Sequence, residues 1–158
     1  MVVYRLNPKK HHATPYSGLG AAANPGRWNL PGTPMVYTSA TESLAFLELF
    51  VHVPTVTLQS LDREYEVVPA DIDKADFTAD LAHLPADWRD LTTIPASTQQ
   101  LGTEWAKRGH LIVSVPSAVF PSERNFLINP KHADFTARCQ VQPAQPIFPD
   151  PRIIGRVR

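Results

Sequence analysis

Hydrophobic positions in this chain fall in short runs divided by turn-forming residues, and the period of each run predicts an element. Residues 2–6 and 35–38 are apolar and β-favouring and predict two short strands. Residues 41–52 predict the clearest helix: Ser39 or Thr41 supplies the N-cap, Glu42 lies in the first turn, and Pro54 closes the segment. Beyond it, residues 55–61 and 64–68 predict strands separated by a turn at Asp62-Arg63. A second helix is predicted over 98–108, capped by Ser97 and stopped by Gly109, with strands following over 110–115 and 125–128. Residues 8–34 hold no periodic run. Their Gly, Pro, Ala and Asn predict a long irregular segment of the kind that forms ligand loops. Strands outnumber helices and are interspersed with them, so the predicted class is α+β, one compact domain over residues 1–158 around a mixed β-sheet.

Composition sharpens this picture in three ways. A chain of 158 residues can bury a core without disulfide staples, and its 16 prolines favour short elements over long helices. The single cysteine, Cys139, has no Cys or His neighbour at metal-ligand spacing and reads as a packed thiol. The apolar start is broken at once by Arg5, Lys9 and Lys10, and the apolar run 44–53 is short and interrupted by Glu48 and His52. Neither reads as a signal segment or a membrane span, which predicts a cytoplasmic protein with no membrane contact.

Charge is zero in sum but uneven along the chain. The first 41 residues contain Arg5, Lys9, Lys10 and Arg27 and no acid, which suits an anionic ligand. Residues 62–90 carry nine acids, which argues against direct nucleic-acid binding. Among them Asp71, Asp73, Asp76 and Asp80 lack the glycine and closing glutamate of a calcium loop and read as an exposed acidic face. The basic tail with Arg152, Arg156 and Arg158 is a candidate contact for a protein partner.

Glu48 is the only charged residue in residues 43–51, inside a helix that is apolar on nearly every face and so is expected to be buried on nearly every face. Burying a carboxylate is costly unless a partner or a site requires it, so Glu48 is either ion-paired, to an arginine or to His52 one turn on, or functional. Gly26-Arg27-Trp28-Asn29 interrupts the irregular segment. Arg27 offers a planar fork of donors for a pyrophosphate or carboxylate, while Trp28 can stack on a base or anchor the loop. Ser117 follows a predicted strand and is a ligand-contacting hydroxyl or a turn residue; Asn125, Asn129 and His132 carry the same two readings, as pocket or as turn and cap residues. Nucleophile-elbow, zinc-protease, phosphate-loop and dinucleotide-loop motifs are all missing.

Taken in order, these pieces resemble the RES domain family, named for an arginine, a glutamate and a serine. The resemblance runs from Tyr4-Arg5 through Ser17-Gly18, Gly26-Arg27-Trp28-Asn29, Gly32-Thr33-Pro34, Val36-Tyr37-Thr38-Ser39 and Leu47-Glu48 with His52. It closes with Pro116-Ser117-Ala118, Glu123-Arg124-Asn125, Asn129-Pro130 and Asp150-Pro151-Arg152; Pro25 stands where many members carry a second glycine. The resemblance implies a fold like that of ADP-ribosyltransferase toxins and the toxin role in a toxin–antitoxin pair. It implies NAD as a substrate, cleaved at the nicotinamide–ribose bond by water or inorganic phosphate. It also implies a DNA-binding antitoxin as partner in a hetero-oligomer, with no metal and no resident cofactor. Arg27, Glu48 and Ser117 are similar to the family's three name-giving residues, Tyr37 to its nicotinamide-pocket aromatic, and Asn125 to a further pocket residue.

Residue chemistry agrees with that expectation. Breaking an N-glycosidic bond passes through a cation-like ribose, which an ionised Glu48 would stabilise. Arg27, helped by Arg5, would hold the pyrophosphate, Tyr37 with Trp28 would pack on nicotinamide, and Ser117 and Asn125 would orient substrate or acceptor. Three other readings compete: ADP-ribose transfer to a macromolecule, a non-catalytic nucleotide-binding module, and a protein-interaction module.

Overall fold

A computed structural model describes residues 1–53, 55–148, 150 and 152. Its strands are β1 (Val2–Pro8), β2 (Val36–Ser39), β3 (Tyr65–Ile72), β4 (Phe77–Thr78), β5 (Ile112–Pro116), β6 (Arg124–Ile128) and β7 (Cys139–Val141). They form one sheet in the order β4-β5-β6-β2-β1-β3-β7. Only the β4–β5 pair is parallel, so the sheet is mixed, as the sequence predicts. The helices are α1 (Leu19–Ala23), α2 (Glu42–His52), α3 (Leu58–Glu64), α4 (Ala96–Lys107) and α5 (Phe135–Arg138). No helix among the described residues is long and apolar enough to cross a membrane.

Strand alternation divides the core. On one face of the sheet, Val3, Val36, Val68, Ala70, Ile72, Ile112, Phe126 and Ile128 pack together with Tyr16 and the free thiol of Cys139. Burial pushes that thiol up to about 11, the behaviour of an inert packed cysteine. The other face carries two separate apolar groups. Met35, Val113, Val115 and Leu127 meet Trp28 and Trp105 of α4, while Val56, Leu61, Tyr65 and Val67 meet Phe46, Leu49 and Phe50 of α2. The two groups part above β1 and β2, and a cleft lies there. β1 and β2 are themselves joined by one registered pair, Tyr4 with Ser39, whereas β1 and β3 share seven.

Three sequence expectations need correction. Residues 55–61 are not a strand: Thr57 and Ser60 form a reciprocal capping box, which starts α3 and absorbs the expected turn at Asp62-Arg63 into its last turn. Ser97 does not cap α4; Pro95 holds the N-cap position, and the Ser97 hydroxyl donates to Asp87 instead. α2 is not buried all round, since Leu44 and Ala45 are covered while Leu47 and Val51 are 38% and 58% exposed. The acidic face is exposed, as the sequence predicts, and part of it is also engaged. Asp76 accepts from the backbone N–H of Leu111 and Ile112 and pairs with Arg138, which also pairs with Asp73. Thr41 is the cap of α2, accepting from Leu44 N; Pro54 lies outside the described residues. The irregular segment 8–34 is largely as expected, with α1 and a single 3₁₀ turn at Lys9–His11 within it.

α4 seats the loop that carries Arg27. A Cβ built on Gly102 falls 2.0 Å from the Trp28 carbonyl oxygen, so the helix can approach the loop backbone only where it has no side chain. Mid-helix Gly→Ala ordinarily stabilises, by up to about 1 kcal/mol. Gly102→Ala is expected to reverse that sign and cost about 1–3 kcal/mol by overpacking, read as a lowered urea midpoint. An unchanged or raised midpoint would show that the loop is not held against α4.

Candidate active site

β2 leads into α2 through Ala40 and the cap Thr41, so the helix leaves the end of the strand and lies back over the sheet. Ala45, Glu48, Leu49 and His52 lie three or four residues apart and turn one helix face toward the cleft between the two apolar groups. The cleft holds a cavity of about 380 Å³, within the usual range of small-molecule sites. Consecutive residues of both strands line it: Tyr4, Arg5 and Leu6 from β1, and Tyr37, Thr38 and Ser39 from β2. Residues from both faces of the sheet reach the cavity because the β1–β2 ladder is so short.

Glu48 is the anchor of its floor. The register that sets Ser39 opposite Asn125 lets the Ser39 hydroxyl donate to Asn125 Oδ1 at 2.8 Å, and Asn125 Nδ2 then donates to Glu48 Oε1 at 2.6 Å. Ser117, just past β5, donates to the same oxygen at 2.7 Å. Glu48 Oε2 lies 3.2 Å from His52 Nε2. Burial pushes the Glu48 carboxyl up, but contacts from His52, Ser117 and Asn125 outweigh it and hold the group below its ordinary value. Glu48 is therefore a carboxylate at neutral pH, with its side chain 17% exposed. Both sequence readings of Glu48 hold a part of this geometry: it contacts His52, and it faces a cavity.

The structure brings Glu48, Arg27, Arg5, Tyr37, Asn125 and Trp28 to the walls of one cavity and leaves Ser117 outside its lining. Ser117 is fully buried; its hydroxyl donates to Glu48 and accepts from Val119 N and Phe120 N, so its bonding capacity is spent. It acts on the cavity through Glu48. Trp28 touches the cavity wall, but its indole is 4% exposed and stacked on Trp105 at 5.6 Å, which is the anchoring reading. The fork of Arg27 donates to the carbonyls of Trp88 and Asp90, tying the segment before α4 to the loop. Arg5 Nη1 donates to Tyr37 O, and the Nε atoms of both arginines are buried without a partner. Burial pulls both guanidinium groups below their ordinary value, but arginine keeps its charge at any physiological pH.

Three residues organise the loop through contacts that the sequence did not signal. Asn29, fully buried, accepts from Gly26 N and the Tyr37 hydroxyl and donates to the carbonyls of Ala21, Leu30 and Thr33, so one side chain folds the loop. Gln99 and Thr103 of α4 hold Gly26 O and Leu30 N from the far side. Their partners are about 70 residues away in sequence, beyond the reach of any spacing rule. Among the described residues, no group of three or more His, Cys, Asp or Glu could hold a metal ion.

Ser117→Ala removes one donor to the Glu48 carboxylate and the acceptor of the Val119 and Phe120 N–H groups, a loss of about 1–3 kcal/mol. Glu48's depressed value means its ionisation stabilises the fold above the unfolded carboxyl range near pH ~4.3 and ceases to do so as pH falls through the folded value. The stability gap between wild type and Ser117→Ala is therefore expected to be wide at neutral pH and narrower in acid, measured by urea unfolding. A gap that widens in acid would contradict an ionised Glu48 held by Ser117.

Comparison with known proteins shows the family. The chain is 35% identical over 156 residues to Toxin Res of Yersinia enterocolitica, covering 97% of this chain and 99% of that protein. It is 33% identical over 128 residues to the Prs ADP-ribosylating toxin of a Sphingobium species, covering 80% and 79%. Its fold matches the crystal structure of the M. tuberculosis MbcT–MbcA toxin–antitoxin complex with a TM-score of 0.70 at 18% identity, over 99% of this chain and 88% of the matched one. Residues 2–150, which include every cavity-lining residue named above, match the RES domain itself, and the chain belongs to the RES domain family.

Proposed function

We propose that this chain is the toxin of a toxin–antitoxin pair and that it cleaves the nicotinamide–ribose bond of NAD. One observation carries the catalytic reading: an ionised carboxylate, held by two donors on Oε1, lines a cavity shared with two arginines that each keep a buried, unpartnered Nε. Such an arrangement suits a substrate that is anionic at one end and becomes cationic at its reacting centre.

In the proposed reaction the C1′–N bond of the nicotinamide ribose breaks, and its electron pair stays with the ring nitrogen. Nicotinamide leaves neutral and needs little acid catalysis. Glu48 faces the positive charge that develops on the ribose, and its fixed position means little reorganisation is required as that charge appears. An oxygen of water or inorganic phosphate then bonds to C1′, and any proton it carries passes to solvent. Arg5 and Arg27 meet the pyrophosphate, Arg27 through Nε or by giving up a loop carbonyl. Tyr37 offers its ring to nicotinamide, since its hydroxyl is already engaged with Asn29 and Trp28 N. Ser117 and Asn125 keep Glu48 in place. The match to a toxin–antitoxin complex supports a partner protein that binds and restrains this chain, with a DNA-binding antitoxin the proposed form. The Sphingobium relative's name favours a second reading, in which ADP-ribose passes to a macromolecule from the same pocket.

Purified protein free of any partner is expected to release nicotinamide from NAD. Phosphate dependence of that release would identify phosphorolysis, and its absence hydrolysis. Glu48→Gln, which keeps the size and loses the charge, is expected to lower turnover by about 100-fold or more with the fold retained. No release from a folded sample overturns the reading. Label from the ADP-ribose moiety recovered on protein or nucleic acid would favour the transfer reaction.

A further inference from the structure

The two oxygens of Glu48 have different surroundings. Oε1 is claimed by Ser117 and Asn125 from the sheet side, whereas Oε2 meets His52 Nε2 alone, one helical turn on. The His52 side chain is 48% exposed and lines the cavity. Among the described residues the ring has no polar contact besides this one.

We propose that His52 is a positioning residue for Glu48: the neutral ring, protonated on Nε2, steadies Oε2 toward the substrate, and a doubly protonated ring silences it. This rests on the NAD-cleaving reading and deepens it. A carboxylate helps a developing cation by its unbalanced negative charge. An imidazolium at 3.2 Å offsets that charge and places a like charge near the ribose.

Other charged or titratable groups face the same cavity: Tyr4 and Arg5 from β1, Arg27 from the loop and Tyr37 from β2. Both arginines keep their charge at any physiological pH. Burial pushes the Tyr37 hydroxyl up, so it stays neutral in the physiological range, and Glu48 itself titrates below the ordinary carboxyl range. Imidazole is the side chain that ordinarily changes charge between about pH 5 and 8. An acid limb that disappears in His52→Gln therefore belongs to the imidazole and not to Glu48.

The test compares wild type, His52→Gln and His52→Ala, measuring kcat and KM for nicotinamide release between about pH 5 and 8. Wild-type kcat/KM is expected to fall toward acid. His52→Gln, which keeps a neutral N–H donor at similar reach, is expected to lose that fall. His52→Ala is expected to lower kcat about tenfold at neutral pH, the worth of one hydrogen bond to a charged group, with little change in KM, and the gap to wild type is expected to close toward acid. An acid limb in His52→Gln equal to that of wild type, or full kcat in His52→Ala at neutral pH, would overturn the proposal. Ring ¹⁵N shifts judge the pairing independently of turnover. An Nε2-protonated neutral ring in wild type that loses this preference in Glu48→Gln supports it, and an Nδ1-protonated ring sinks it. If wild type releases no nicotinamide, the functional reading fails, and the pairing still stands or falls on the ring shifts.

Discussion

Everything at this site depends on how weakly β1 and β2 are joined. Neighbouring antiparallel strands usually exchange a ladder of hydrogen bonds, as β1 does with β3 along its length. Toward β2 it has one registered pair, Tyr4 with Ser39. Arg5, which strand alternation assigns to the face of Val3, bonds Tyr37 O across this gap with its guanidinium. The cavity occupies the same gap, and that is why consecutive residues of both strands line it. A complete ladder would close the gap and leave a flat sheet with helices on one face.

The helices then divide the work. α2 covers the β1–β3 half through Phe46, Leu49 and Phe50 and brings Glu48 to the cleft; α4 covers the β2–β5–β6 half through Trp105 and seats the Arg27 loop on Gly102. Opposite charges are thus supplied from opposite walls. Neither wall neutralises the other by a direct salt bridge: Glu48 is held by neutral donors and His52, while Arg27 is held by backbone carbonyls. Separated charges in a partly dry cavity are costly to maintain, and the usual reason to maintain them is a ligand that carries the complementary charges.

Arg27, Glu48 and Ser117, which the sequence resemblance singles out, do not occupy equivalent places. Arg27 and Glu48 reach the cavity; Ser117 is buried behind Glu48 and determines which of its oxygens is engaged. Asn125 is the sheet-borne counterpart of Ser117, aligned by the β2–β6 register. Trp28, for which the sequence offers stacking on a base or anchoring of the loop, stacks on Trp105 and lies at the cavity wall.

Local pattern in the sequence determined much of this protein. It placed β1, β2, β5, β6 and α2 to within a few residues, identified Thr41 as one of two caps, and isolated Glu48 as a charge out of place on an apolar helix. These are properties of residues close in the chain, where period and capping chemistry act. Position and order of the family's residues pointed to Arg27, Tyr37, Ser117 and Asn125, but not to what each touches. That was decided by tertiary contacts between residues about 70 positions apart or more, such as Ser117 with Glu48, Asn125 with Glu48 and Gln99 with Gly26. Even the capping box of α3 overrode a run that favours strand, because two reciprocal hydrogen bonds outweigh a weak β preference. The gap between β1 and β2 is legible in no single segment, because strand pairing is a property of two segments and of what packs on both.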